Sequence, residues 1–179
     1  GLGIPAEPLF RSRSPVVTSD TFSDQDYDYF HGLKKQSERE TALRKRAFDL
    51  GLVNNENGKN QTFLRNDHIG MEAEFSNATI KERINKNNSD AALFAALMPV
   101  IKETFGNAVP ILAEGDRYQY TFKGSTSINS FISLLGSFIY KGETVPVLFD
   151  VKYNKNDSNS LYIVATINES PMTTSTDTF

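Results

Sequence analysis

Apolar and charged positions alternate from Met71 to Phe75, where Met71, Ala73 and Phe75 interleave with Glu72 and Glu74. This pattern predicts a half-buried strand with both glutamates on one face. "QTFLRN" just ahead of it reads as a partner strand, after the turn cluster "NNENGK". The period then changes. Ser76 is placed to cap a short helix, "NATIKERIN", that buries Ile80 and Ile84. A longer helix is written into "NNSDAALFAALMPVIKETFGNAVPI". Ser89 caps it, Leu93, Leu97, Val100 and Ile101 fall at helical spacing, and four alanines let it lie close to a neighbour. Pro99 lacks an N–H and must kink or divide this helix, while Gly106 ends it and "AVPI" opens a strand.

Upstream, Ser37 and Glu40 form an S-x-x-E capping box, Leu43, Ala47 and Leu50 make an apolar stripe, and Gly51 stands at the C′ position. The last third of the chain reads as strand throughout. "RYQYTFK" alternates Tyr118, Tyr120 and Phe122 with polar residues, and "SFISLLGSFIY" and "TVPVLFDVKY" flank Lys141-Gly142 as a hairpin. After the turn "NKNDSNS", "SLYIVATI" is the final strand. Pro146 donates no ladder bond, so its side of the strand should be an edge or a bulge. The core expected from these phases is Phe75, Leu97, Ile101, Phe105, Val147, Phe149, Val151, Ile163 and Ile167.

The class is therefore α+β, with N-terminal helices packed on one face of a mostly antiparallel C-terminal β-meander. Residues 1–30 hold three prolines and, from Asp20 to Asp28, four aspartates without any period, so they read as an extended linker or arm. Residues 31–169 then make a single α+β domain and 170–179 a flexible tail.

A length of 179 residues suits one domain with extended ends, and 39% apolar with 23% charged residues is an ordinary globular balance. The net charge of −3 excludes a uniformly basic nucleic-acid binder but allows a local basic patch. One such patch is available: from Gly32 to Arg46 six Lys/Arg stand against two Glu. Without cysteine there is no disulfide framework and no thiolate chemistry, which is compatible with any compartment. No apolar run approaches the roughly 18 residues of a membrane span. Phosphate-binding loops of the GxxxxGK[ST] type, GxGxxG, HExxH and G-x-S-x-G are all missing from the sequence.

Three tracts carry a family resemblance. "GMEAEFSNATIKE" resembles a glycine-led strand followed by a Ser-capped, Lys-containing helix in certain phage and mobile-element proteins. "NSDAALFAALMPVIKETFGNAVPI" is similar to their helix ending in LF-x-NA, and "FIYKGETVPVLFDVKY" with "SLYIVATINE" to their closing hairpins. These are the large polyvalent protein-associated domains related to the barnase–EndoU–colicin–RelE-like nuclease fold. The similarity runs from Phe63 to Glu169.

What the resemblance implies is metal-independent RNA cleavage without a cofactor, with a His or carboxylate base, a Lys or Arg near the phosphate, and Ser, Thr or Tyr on the same sheet face. The residues placed for catalysis are His68, Lys152, Tyr162 and Thr166, with Asp150 sharing the face of Lys152. Those placed for nucleic-acid contact are Lys81, Arg83, Arg117 and Lys123, while His31 reads as a bystander. No metal site is expected. Where related sequences tend to show a histidine near Ser89, this chain has Asp90-Ala91. Two functions therefore stay open: a ribonuclease toxin or effector, and a non-catalytic module that binds nucleic acid or protein. The partners implied are RNA and other domains of a longer chain, in a setting that favours the cytoplasm over secretion or injection.

Overall fold

The half-buried alternation from Met71 and the two hairpin tracts become one sheet, against which the helical segments bury their apolar stripes. The structure, a computed structural model, describes residues 18, 19, 21–54, 62–85, 91–111, 131–154 and 157–166, with backbone alone at 165 and 166. In chain order the helices are α1 (Asp24–His31), α2 (Gln36–Asp49), α3 (Asn77–Asn85), α4 (Ala91–Leu97) and α5 (Ile101–Gly106). A 3₁₀ turn at Met98–Val100 separates α4 from α5. The strands are β1 (Thr62–Asn66), β2 (Met71–Phe75), β3 (Val109–Pro110), β4 (Phe131–Tyr140), β5 (Glu143–Lys152) and β6 (Ser160–Thr166).

The six strands lie in the order β1-β2-β6-β5-β4-β3. Every neighbouring pair is antiparallel except β2 and β6, which run parallel and meet at Glu74 and Ser160. Lys141 and Gly142, both at positive φ, give β4 and β5 the tight turn that the Lys-Gly pair promised. The protein is thus α+β, its helices on one face of a mostly antiparallel sheet. Phe75, Leu97, Ile101, Phe105, Val147, Phe149, Val151 and Ile163 are all buried in that layer, as their phases required. Phe105 meets Phe149 edge-on at 5.3 Å between ring centres, which locks α5 to the middle of the sheet. Pro99 divides the helical run as its missing N–H dictates.

Several local expectations need correction. The stretch read as an arm contains α1, nucleated by a capping box in which Ser23 accepts from the Asp26 N–H and Asp26 accepts from the Ser23 N–H. Phe22 and Phe30 then anchor this segment in the core. Of the aspartates that looked like linker composition, Asp24 and Asp26 are first-turn residues that suit a helix N-terminus. By contrast, α2 begins at Gln36 with Lys35 at its N-cap and no side-chain cap, so Ser37 and Glu40 form no box. Leu50 is 41% exposed and leaves the stripe to Leu43 and Ala47. Its successor Gly51 does terminate α2, at φ +76°, with the Leu52 N–H reaching back to the Ala47 carbonyl at 2.8 Å. Ser89, the tract 117–123, Ile167 and the tail 170–179 lie outside the described residues.

Candidate functional site

β2 leaves the sheet almost as soon as it touches β6. After the Glu74 pairing the chain turns at Ser76, whose hydroxyl accepts from the Ala78 N–H at 3.2 Å and starts α3. The Thr79 hydroxyl donates to the Leu161 carbonyl at 2.7 Å and accepts from the Ser76 N–H at 3.1 Å. These bonds lay α3 along the edge of β6 that β2 has vacated. Ile80, Arg83 and Ile84 turn into the protein and Glu82 turns out, one helical step beyond Thr79.

The sheet face away from the core is open to solvent among the described residues, and its register can be read strand by strand. Phe63, Glu74, Ser160, Lys152 and Phe131 pair in one row across it. Tyr162, Asp150 and Ser133 form the next. The Ser133 hydroxyl donates to Asp150 Oδ1 at 2.7 Å, fixing that carboxylate against the floor. Glu82 from α3 overhangs this row. Together Glu82, Asp150, Lys152, Tyr162, Ile163 and Val164 line a hollow of about 200 Å³.

Lys152 and Tyr162, singled out in the sequence, therefore open onto one space. Thr166 pairs with Val147, after a one-residue register shift next to Leu148 that interrupts the alternation from Tyr162, and its side chain lies outside the described residues. The irregularity lies between Leu148 and Phe149, while Pro146 itself pairs with Ser137 in an uninterrupted β4–β5 ladder. His68 goes elsewhere. It sits exposed in the β1–β2 turn and does not line the hollow. That turn is tied to the end of α5: the buried Asn66 accepts from the His68 and Ile69 N–H groups, both at 2.9 Å, and donates to the Phe105 and Ala108 carbonyls.

Of the residues placed for nucleic-acid contact, Lys81 is exposed on α3, Arg83 is buried on its inner side, and Arg117 and Lys123 lie outside the described residues. Glu82 was not anticipated. Nothing in "NATIKERIN" separates it from any solvent-facing helical glutamate, and only the packing of α3 beside β6 brings it to Tyr162.

The acid–base balance of the hollow is two carboxylates to one ammonium. Displaced protonation equilibria occur at the far end of the β4–β5 hairpin. There burial pushes the Arg46 guanidinium down, against the pull of Asp26 and Asp49, while Tyr140 and Lys141 are pushed up. Arg46 lies over the Phe22 and Phe30 rings and donates to the Ala95 carbonyl at 2.8 Å, so its role is to fasten α1 and α2 to α4. Among the described residues no group of three His, Cys, Asp or Glu side chains could hold a metal ion, and no helix is long and apolar enough to cross a membrane.

Besides the hollow, the open face carries exposed Val109, Ile111, Phe131 and Leu135 toward the β3–β4 edge. No family model, curated protein or solved structure matches the chain.

Proposed function

We propose that this domain cleaves single-stranded RNA, with the hollow between α3 and the open sheet face as its active site. The observation that supports this reading is the gathering of Lys152, Tyr162 and two carboxylates in one place. Those are the functional groups that transesterification without a bound cofactor requires. The ribose 2′-hydroxyl attacks the adjacent phosphorus as a carboxylate takes its proton. The Lys152 ammonium steadies the charge that builds on the phosphate oxygens. Tyr162 protonates the departing 5′-oxygen, leaving a 2′,3′-cyclic phosphate and a free 5′-hydroxyl. Incubation of the intact protein with labelled single-stranded RNA tests the reading. Cleavage should end in cyclic phosphate and fall at least about 100-fold in Lys152→Ala and in Tyr162→Phe.

A second reading is a binding module on the same scaffold. It is favoured by the lack of a histidine lining the hollow and by the exposed apolar residues Phe131, Leu135, Val109 and Ile111. Intact RNA after prolonged incubation across a range of salt concentrations would decide for it.

A further inference from the structure

We infer that Glu82, carried by α3, is the general base of this site and that Asp150 is a positioning residue. The inference rests on the ribonuclease reading and divides the labour between its two carboxylates. Asp150 lies in the floor, on the central strand β5, between Ser133 on one side and Tyr162 on the other. One of its oxygens is already engaged by the Ser133 hydroxyl at 2.7 Å, and the side chain is only half exposed. A carboxylate so held orients its neighbours and is poorly placed to follow a proton.

Glu82 differs in each respect. It is exposed, it comes from the wall of the hollow rather than its floor, and it makes no hydrogen bond or ion pair among the described residues. Its backbone is nevertheless fixed, because Thr79 one turn earlier is bonded to the Leu161 carbonyl. A free carboxylate on a fixed helix, lining the same hollow as a lysine and a phenol, is available to act as a general base there. In the step itself the O2′–H bond breaks and its proton moves to Glu82 as the O2′–P bond forms. The P–O5′ bond breaks and O5′ takes the Tyr162 proton. Solvent then removes the proton from Glu82 and restores the one on Tyr162, so no oxidant or further reactant is needed.

The test is steady-state cleavage of a fluorescein-labelled, mixed-sequence single-stranded RNA across the acid and neutral range. Glu82→Gln should lower kcat about 100-fold or more, leave KM within a few-fold, and abolish the acidic limb of the pH profile. Glu82→Asp should recover part of the rate with that limb present. Asp150→Asn should lose less rate and keep the acidic limb. Because Glu82 is exposed, the Gln variant should keep the circular dichroism and melting temperature of the parent, which separates chemistry from folding. Cleavage by Glu82→Gln within a few-fold of the parent would overturn this assignment alone. An acidic limb lost in Asp150→Asn and kept in Glu82→Gln would transfer the role to Asp150. Failure of the intact protein to cleave would overturn both this inference and the reading beneath it.

Discussion

The hydroxyl of Thr79 and the carbonyl of Leu161 meet at 2.7 Å across 82 residues of sequence, and this bond fastens α3 to β6. Both groups are buried, so loss of the hydroxyl leaves a carbonyl without its donor. Thr79→Val keeps the shape and removes the bond. It should lower unfolding free energy by about 1–3 kcal/mol in urea titrations. It should also loosen the seat of Glu82, so RNA cleavage should fall by more than the folded fraction does. A variant as stable as the parent would show that α3 is held by Ile80 and Ile84 alone.

Asn66 occupies a comparable position under the β1–β2 turn. Its amide donates to the Phe105 and Ala108 carbonyls at 2.7 and 2.8 Å, and its oxygen accepts two backbone N–H groups. Asn66→Asp replaces two donors with an acceptor facing two carbonyls, in a site with no solvent exposure. The expected cost is about 3 kcal/mol or more, seen as a large fall in urea midpoint. Asn66→Asp should recover part of that loss as the pH is lowered and its carboxyl takes a proton. Recovery on raising the pH instead would contradict the donor assignment.

Most of this architecture was legible because side-chain period maps directly onto burial. Phe75, Val147, Phe149 and Val151 stand in phase on strands, and Ile80 and Ile84 in phase on a helix, and all six are buried. What misled was local chemistry read without its surroundings. Ser37 looks like a cap, yet α2 starts before it, and Asp24 and Asp26 look like linker although they open α1. The site divided along the same line. Alternation assigns Lys152 and Tyr162 each to a face of its own strand, and the β5–β6 register makes those faces one. Glu82 could not be placed in this way, since the approach of α3 to β6 depends on where β2 leaves the sheet. His68, chosen for its side-chain chemistry, was drawn away by the bonds that Asn66 makes to α5.

At Gly136 the backbone of β4 lies close against α5. A Cβ built there would lie 2.8 Å from the Thr104 carbonyl oxygen and 3.3 Å from both Ala108 and the Phe149 ring. The nearest obstacle is helix backbone, which cannot swing aside like a long side chain. Gly136→Ala should therefore destabilise by about 1–3 kcal/mol and lower the melting temperature, despite removing backbone freedom from the unfolded chain. An unchanged or raised melting temperature would mean that α5 shifts outward at little cost.

Alkaline pH should weaken the fold through the hairpin turn. Tyr140 is raised from its ordinary value chiefly because burial disfavours the phenolate, with the nearby aspartates adding to the effect against Lys141. Lys141 is raised chiefly because its ammonium donates to Asp24, a pairing that also lays it over the Tyr27 and Tyr140 rings. In both cases the folded protein holds its proton more tightly than the unfolded chain does. Below the ordinary phenol and ammonium values both states are protonated and the stabilisation is complete. As pH rises through about 10 the unfolded chain releases its protons first, so stability falls until the folded values are passed. Urea midpoints measured from about pH 8 to 11 should decline, and decline less steeply in Tyr140→Phe and in Lys141→Met. At about pH 8 Tyr140→Phe should be no less stable than the parent, because the buried Tyr140 hydroxyl has no hydrogen-bond partner among the described residues. An alkaline slope identical in the parent and both variants would assign the loss to other groups and remove the turn from the explanation.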